Sequence, residues 1–475
     1  MITENIVPSK VFDSSRNVIQ PDNLLNKKDY QIGLREDNCC EINGKGYIVL
    51  DFGMEYSGGI RILTFLTSEP SVPIRIRFGE SVSEAYSDIG EKGSCNDHSL
   101  RDFETNLTSY SDMTFGNSGF RFVRIDFLSD AKVSLKNVYL AFRHRKQQKE
   151  TPFDSKNERI NQIFKAAKRT IDLCCQEYLW DGIKRDRLVW AGDTHPEMLA
   201  LTSLYGKSKC LEKSLDLSVK QYPLPCFMNN MPAYSAWLVI ILVEYAEYTN
   251  QFNYFKKHMK YVDGIIEQFH NYVNENGELN LPSYFVDWPT SNSVDEIPGC
   301  RAILLYMANS LYRFYSNRGI NTASIERLIR KLNKVDIAVE SSKQVLGLKY
   351  MANGHLSADE SSKLIKDGSC GMSTFMSYYI LKATAETVSP EVAKDMMCEY
   401  YGAMLDKGAT TFFEDFDINW IKNSSRIDSL PKNGEKDLHG DFGNYCYQGF
   451  RHSLCHGWSS GVIRFLYEYC NKIHE

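Results

Sequence analysis

Hydrophobic and polar positions alternate with a period of two from about residue 45 to about residue 145. Alternation of this kind, interrupted by turn residues such as Gly58 and Gly59, is typical of short strands with one buried face. The predicted strands are Tyr47–Phe52, Ile60–Leu66, Val72–Phe78, Phe120–Leu128 and Val133–Phe142. Five or more strands at this spacing predict an antiparallel β-sandwich of about 100 residues. The residues before about 45 are polar and irregular in pattern.

The hydrophobic period changes to that of a helix after Ser155, which we take as the first N-cap. Apolar residues of the first helix share one face at Ile160, Ile163, Phe164, Ala167, Ile171 and Cys174. Similar segments follow at 197–205, 234–249, 253–273, 299–316, 323–333, 357–364, 371–386, 390–406 and 458–473. This number of helices suits a closed α/α toroid or a globular helical domain. We therefore predict a β-sandwich at 1–145, a linker at 146–155 and a helical domain at 156–475.

Composition narrows the functional classes. The 475 residues are 43% apolar and 24% charged, with a net charge of −5 and no basic run, so neither nucleic acid nor an anionic membrane is an expected partner. We find no signal peptide and no apolar run of the roughly 18 residues that a membrane span needs. The thirteen cysteines lack framework spacing, which indicates reduced thiols and a cytoplasmic location.

The candidate chemistry centres on a charged segment, Asp181-Gly-Ile-Lys-Arg-Asp-Arg-Leu-Val-Trp-Ala-Gly-Asp193. Asp181 and Asp186 would lie about 140° apart on a helix, so we predict a loop that enters a helix near Asp193. Loops that crowd like charges are places where pKa values are pushed apart. A solvated charged turn is the alternative interpretation.

A second candidate loop runs from Gly408 to Asp417 and contains Glu414 and Asp415. Its aromatic residues, Phe412, Phe413 and Phe416, would desolvate a carboxylate and raise its pKa, which suits an acid or a base. The alternative is a charge at a helix end beside core aromatics.

Two further loops could bind a sugar. Asp287 and Trp288 pair a carboxylate, which accepts from hydroxyls, with an indole, which stacks on the apolar face of a ring; a turn with a buried Trp is the alternative. His456 and Trp458 precede a helical run, where a satisfied core histidine is the alternative for His456.

Other motifs give weaker evidence of a function. Gly457–Gly461 matches the nucleophile-elbow pattern around Ser459, but no apolar strand precedes it. His195 and Glu197 lack zinc-ligand spacing, no pair of cysteines has a matching pair, and no nucleotide-binding fingerprint is present. We therefore expect neither a metal nor a cofactor.

The charged segment resembles the motif of glycoside hydrolase family 78, the inverting α-L-rhamnosidases, which reads Asp-Cys-Pro-Gln-Arg-Glu-Arg-Leu-Gly-Trp-Thr-Gly-Asp. Matching residues are Asp181, Arg185, Arg187, Leu188, Trp190, Gly192 and Asp193. Asp186 stands at the acidic position and is one methylene shorter than the usual Glu.

The other loops follow in the family's order. Thr411-Phe-Phe-Glu-Asp-Phe resembles Thr-Met-Trp-Glu-Arg-Trp, whose glutamate, the general base, maps to Glu414. The segment from Ser453 to Gly461 resembles Ser-Phe-Asn-His-Tyr-Ala-Tyr-Gly-Ala, and Asp287-Trp288 resembles a Gly-Asp-Trp loop. Leu50–Gly53, Gly58-Gly59, Phe78–Glu80 and Gly119–Arg124 resemble the β-domain that precedes the family's catalytic domain.

The resemblance implies a β-sandwich followed by an (α/α)6 barrel that hydrolyses terminal α-L-rhamnose from small glycosides or oligosaccharides without a metal in the chemical step. Asp186 would be the general acid and Glu414 the general base. Asp181 and Asp193 would bind hydroxyls and raise the pKa of Asp186, and Arg185 would hold one of those two carboxylates. The remaining expected substrate contacts are Trp190, Asp287, Trp288, His456 and Trp458.

Departures from the family motifs leave alternatives open. Gly182-Ile-Lys184 replaces Cys-Pro-Gln, the acid is shortened, and Phe-Glu-Asp-Phe replaces Trp-Glu-Arg-Trp. Another six-hairpin glycosidase with a different sugar, or an inactive sugar-binding protein, fits the same sequence. A homodimer stays open as well.

Overall fold

The computed structural model describes residues 1–146 and 148–471. Nine strands form the N-terminal part: β1 Ile2–Ile6, β2 Lys10–Ser14, β3 Val18–Ile19, β4 Cys40–Asn43, β5 Gly46–Thr67, β6 Val72–Gly79, β7 Asp102–Leu107, β8 Ser111–Phe127 and β9 Lys132–His144. A short helix, α1, spans Val82–Tyr86. Strands β1 to β4 were not predicted, because the hydrophobic pattern before residue 45 is irregular. Strands β1 and β2 pair with β9 and β5 yet keep no residue fully buried, so they lack an apolar period.

The antiparallel β-sandwich is built on the long strand β5. Its first part, up to Asp51, lies between β2 and β8, and its second part, from Gly58, lies between β8 and β9. The pairing register shifts between Asp51 and Tyr56, which bends the strand and lets both parts enclose one apolar core. The two strands predicted at Tyr47–Phe52 and Ile60–Leu66 are thus one element.

Within the described residues twelve α-helices follow: α2 Glu158–Cys174, α3 Thr194–Tyr205, α4 Lys209–Gln221, α5 Pro232–Thr249, α6 Phe252–His270, α7 Glu296–Ser316, α8 Ala323–Leu332, α9 Lys343–Asn353, α10 Ala358–Ile365, α11 Ser377–Thr387, α12 Pro390–Asp406 and α13 Val462–Tyr469. The N-cap of α2 is Asn157 and not Ser155, because the Asn157 side chain accepts from the N–H groups of Arg159 and Ile160. Helices α4 and α9 were not predicted, since their buried faces include polar residues such as Ser214 and Gln344.

The odd-numbered helices from α3 to α13 form a closed ring, each packing on the next and α13 on α3. Helix α5 is buried along almost its whole length, whereas the outer helices α6 and α8 bury only one stripe. The helical part is therefore the predicted (α/α)6 toroid, with its apolar core inside the ring. Within residues 1–146 and 148–471, no helix has the length and hydrophobicity to cross a membrane.

Candidate active site

The charged segment 181–193 is a buried loop that leads into α3, as predicted, and not a solvated turn. Asp181 folds it back on itself: the Leu188 N–H donates to Asp181 Oδ1 at 2.9 Å. Asp186 and Arg187 have φ of 55° and 57°, a left-handed conformation that non-glycine residues rarely adopt. Asp193 stands at the N-cap position of α3. Most of the charged side chains are buried, namely those of Asp181, Lys184, Arg185 and Asp193.

Arg185 joins the two candidate catalytic carboxylates. Its Nη1 donates to Asp186 Oδ1 at 2.8 Å and its Nη2 to Glu414 Oε1 at 2.7 Å. Because one guanidinium contacts both, their nearest oxygens are no more than roughly 8 Å apart. This differs from the expected role of Arg185, which was to hold Asp181 or Asp193. Arg185 and Glu414, which lie 229 positions apart in the sequence, thus meet at one site.

Glu414 is buried, and both of its carboxylate oxygens have partners. Its Oε2 accepts from the Ser453 N–H at 3.0 Å, and His456 Nδ1 lies 3.5 Å from Oε1. Burial alone would raise the pKa of Glu414, but Arg185 and His456 outweigh burial and lower this pKa to about 2. The carboxylate is therefore ionised, contrary to the raised pKa that its aromatic neighbours predicted.

His456 links Glu414 to a second carboxylate. Its Nε2 lies 3.1 Å from Asp193 Oδ2, and Asp193 Oδ1 accepts from the Tyr234 hydroxyl at 3.3 Å. Burial opposes a charged imidazole, but Glu414 and Asp193 raise the pKa of His456 to about 9. His456 is therefore both a satisfied buried histidine and a cation beside Glu414.

The two outer aspartates of the segment are desolvated. Burial raises the pKa of Asp181 well above its usual value, with Asp193 adding to the rise and His456 opposing it. Burial also raises the pKa of Asp193, against the hydrogen bond from His456. Such carboxyls gain most from a partner that supplies donors, as the hydroxyls of a sugar do.

A narrow cleft of about 10 Å³ lies beside Glu414, and Asp287, Trp288 and Trp458 line it, so a sugar could enter only if these walls move apart. Trp288 Nε1 donates to the Tyr447 hydroxyl at 2.9 Å, and Trp458 Nε1 donates to the Glu414 carbonyl at 2.9 Å. Asp287 caps a short turn and accepts from the Ser373 hydroxyl, yet burial raises its pKa to about 6. The cleft therefore combines aromatic walls with carboxyl groups, the composition that a sugar site needs.

Trp190 lies elsewhere. It lines a separate depression with Trp180, Arg187, Leu188 and Asn229, which shares no lining residue with the cleft beside Glu414. The structure thus brings together Arg185, Asp186, Glu414, His456 and Asp193, with Asp287, Trp288 and Trp458 adjoining, and leaves Trp190 outside this group.

Sequence reasoning missed a buried charge cluster behind the loop. Lys184 Nζ lies 3.0 Å from Glu80 Oε2 and 3.2 Å from Glu84 Oε1, both from the β-sandwich. Glu80, Glu84 and His439 have ligand atoms within 4.8 Å of one another, but the ammonium of Lys184 already supplies the positive charge there. No spacing pattern could have found partners about 100 residues upstream.

Asp415, named with Glu414 in the second candidate loop but given no role there, is also a residue of this site. It lines the cleft with Glu414, and its buried Oδ2 has no hydrogen-bond partner among the described residues. Burial, with a contribution from Asp287, raises the pKa of Asp415 to about 7.

Comparison with known proteins agrees with this architecture. Residues 148–299 match the sequence profile of the bacterial alpha-L-rhamnosidase six-hairpin glycosidase domain. Among curated protein sequences, none matches the chain significantly.

Solved structures share the whole fold at low sequence identity. The rhamnosidase from Klebsiella oxytoca with rhamnose bound has a TM-score of 0.75 and 16% identity, over 98% of this chain and 96% of that chain. The GH78 rhamnosidase of Bacillus sp. GL1 has a TM-score of 0.71 and 17% identity, over 94% of this chain and 48% of that chain. For the α-L-rhamnosidase from Aspergillus terreus the values are 0.69 and 15%, over 98% and 53%. Residues 148–299 therefore match the six-hairpin glycosidase domain of the bacterial α-L-rhamnosidases, and the chain as a whole has the fold that these rhamnosidases share.

Proposed function

We propose that this protein is an exo-acting α-L-rhamnosidase that releases terminal α-L-rhamnose from small glycosides with inversion at the anomeric carbon. The observation that carries the proposal is the Arg185 bridge, which fixes Asp186 and Glu414 relative to each other at 2.8 and 2.7 Å from one guanidinium. Two carboxyl groups on opposite sides of the scissile bond are the minimum equipment for glycoside hydrolysis.

In this proposal Asp186 protonates the leaving oxygen. It is the more exposed of the pair, with 19% of its side chain accessible against 2% for Glu414. A leaving group that extends toward solvent could therefore reach Asp186 while the sugar occupies the interior. The shorter Asp in place of Glu requires the backbone at 186 to stand close to the sugar.

Glu414 would hold and deprotonate the attacking water. Its low pKa keeps it ionised, as a base must be, although such a carboxylate binds a proton weakly. Water gains acidity only as it bonds to the anomeric carbon, so Glu414 would take the proton late in the step. The roughly 8 Å limit admits both the inverting range of roughly 6.5–9.5 Å and the retaining range of roughly 5–5.5 Å, so the reaction product must decide the stereochemistry.

The sugar would be bound by carboxyl and aromatic side chains. Asp181, Asp193 and Asp287 are proposed to accept from its hydroxyls, because each is buried and burial raises the pKa of each carboxyl. Trp288 and Trp458 would contact its apolar face, and the cationic His456 would donate to a hydroxyl once substrate displaces one of its present partners. Trp190 would contribute only if the leaving group extends into its depression.

The test is turnover of a panel of 4-nitrophenyl glycosides at one pH, with α-L-rhamnoside compared with α-L-fucoside, α-L-arabinoside, α-D-mannoside and β-D-glucuronide. We expect kcat/KM for the rhamnoside to exceed that of every other glycoside at least about tenfold, since one misplaced hydroxyl in a site built for it costs more than that. Preference for another sugar would favour a six-hairpin glycosidase of different specificity. Sugar binding by calorimetry with no turnover of any glycoside would favour an inactive binding protein.

A further inference from the structure

A loop of the β-sandwich domain, residues 96–99 ahead of β7, lies against the charged loop of the toroid. Arg451 Nε donates to Asp97 Oδ2 at 3.0 Å, and Ser99 Oγ donates to the Lys184 carbonyl at 2.8 Å. These contacts hold the two domains together on both sides of the residue between them, His98.

His98 contacts Asp186 twice through one nitrogen. His98 Nδ1 lies 2.8 Å from Asp186 Oδ1, to which it donates when Nδ1 carries the proton, and 2.7 Å from the Asp186 backbone nitrogen, from which it accepts only in the other tautomer. Arg185 meets the same oxygen at 2.8 Å. The Asp186 carboxyl is therefore held between a residue of its own loop and a residue of the other domain.

The backbone at this contact is strained on both sides. His98 has a φ of 64° and Asp186 a φ of 55°, both in the left-handed region. A residue with a Cβ persists there only when its surroundings determine its conformation, and such residues cluster at functional sites. The neighbouring contacts of Asp97 and Ser99 supply those surroundings.

We propose that His98 is a positioning residue that holds the Asp186 carboxyl in the orientation from which it protonates the leaving oxygen. The inference rests on the function proposed above. A side chain one methylene shorter than Glu has less reach, so a small rotation takes its oxygen out of range of the glycosidic bond. The β-sandwich would thus complete the acid half of the site, which lies in the toroid.

Two rhamnosides that differ in their leaving group distinguish a misplaced acid from general damage to the fold. The 2,4-dinitrophenolate of an activated rhamnoside departs without protonation, whereas the leaving group of a 4-methoxyphenyl rhamnoside needs a proton from the acid. For His98→Ala we expect kcat on the 4-methoxyphenyl substrate to fall about ten- to a hundredfold, as misplaced catalytic groups do, with KM little changed. On the dinitrophenyl substrate the change should stay within about twofold.

A conservative variant and a control complete the experiment. His98→Asn keeps a hydrogen-bonding atom near the position of Nδ1 and should restore most of the lost kcat. His355→Ala, at an exposed histidine whose Nδ1 contacts only the nearby Asn353 carbonyl among the described residues, should behave as the unaltered protein on both substrates.

Equal losses of kcat on both substrates for His98→Ala, or no loss on either, would overturn the inference. If the unaltered protein hydrolyses both rhamnosides and His98→Ala does so equally well, the inference about His98 fails while the proposed function stands. If the unaltered protein hydrolyses neither rhamnoside, the proposed function fails and the inference fails with it.

Discussion

At the scale of single residues, the site depends on how one guanidinium divides its donors. Arg185 gives Nη1 to Asp186, Nη2 to Glu414 and Nε to the Arg451 carbonyl at 3.1 Å. Each donor has a separate acceptor, so the planar group cannot rotate without breaking a bond. The two carboxyl groups are thereby kept close and in fixed directions.

Replacing the proposed acid should abolish most catalysis while leaving the fold intact. For Asp186→Asn we expect kcat on a 4-methoxyphenyl rhamnoside to fall by about 10²–10⁴-fold, because the amide has no acidic proton to give. Steady-state kinetics measure this, with circular dichroism as the check on folding. The exposed Asp336 offers a matched control, and Asp336→Asn should change nothing. Near-normal turnover by Asp186→Asn would remove Asp186 from the role of acid.

Replacing the bridging arginine should change both rate and pH dependence. Lysine keeps the charge but presents a single ammonium, so Arg185→Lys cannot contact both carboxylates in the same way. We expect kcat to fall about ten- to a hundredfold because the pair is no longer fixed.

The pH dependence follows from the pKa of Glu414. A base must be ionised, so activity is lost as pH falls through its pKa, which Arg185 holds at about 2. In Arg185→Lys this pKa should rise, and the acid limb of kcat/KM should move to higher pH. Arg464→Lys, at an arginine paired with Glu468 on the same helix, serves as the control. A lower rate with an unmoved acid limb would contradict the role of Arg185 in keeping Glu414 ionised.

At the scale of elements, the sequence predicts best where apolar residues recur along the whole element. Strands β6 and β9 and helices α5 and α12 lie close to their predicted positions, whereas β8 begins at Ser111, nine residues before the predicted start at Phe120. Strands β1 and β2 were not predicted because none of their residues is fully buried, and α4 and α9 were not predicted because their buried faces include polar residues.

The site likewise has residues that the sequence predicts and contacts that it does not. The order of the motifs pointed to Asp186 and Glu414, but the contacts of Arg185, Lys184 and His98 join residues distant in sequence and leave no local pattern. The raised pKa predicted for a carboxylate of the loop 408–417 is found at Asp415, whereas at Glu414 the charged neighbours outweigh burial and lower the pKa.

The interface between the two domains depends on Lys184, whose Nζ contacts Glu80 and Glu84 and donates to the Phe450 and His452 carbonyls at 2.9 and 2.7 Å. Lys184→Met would leave buried carboxylates without a counter-charge. We expect the free energy of unfolding to fall by about 3–5 kcal/mol in denaturant titrations.

The loss should grow with pH. Burial, against the opposing charge of Lys184, raises the pKa of Glu80 to about 7 in the folded protein, and removing Lys184 raises this pKa further. Up to about pH 7 both proteins keep the Glu80 proton in the folded state, so their stabilities change with pH in parallel. The extra loss in Lys184→Met grows as pH rises through about 7, where the unaltered protein releases this proton and the variant retains it. Glu80→Gln combined with Lys184→Met should recover part of the loss. Lys213→Met, at an exposed pair with Glu177, should have no measurable effect. An equally small effect of Lys184→Met would show that the cluster does not stabilise the interface.

At the scale of the whole molecule, two domains of different architecture meet at the site. The closed ring of α3 to α13 positions the loops that carry Glu414, Asp287 and His456 at one mouth, and the β-sandwich supports the charged loop from the side. A sugar bound there would be enclosed by the toroid, while its leaving group would face the sandwich. We therefore expect neither domain to be active without the other.

The most direct test of the account is the configuration of the first sugar released. An aryl α-L-rhamnoside is hydrolysed at high protein concentration, and the anomeric proton is followed by NMR within the first minutes, before mutarotation mixes the anomers. With Asp186 as acid and Glu414 holding water on the opposite face, β-L-rhamnose should form first and then equilibrate. Release of α-L-rhamnose as the first product would contradict the account, because Glu414 would then act as a nucleophile instead of a base.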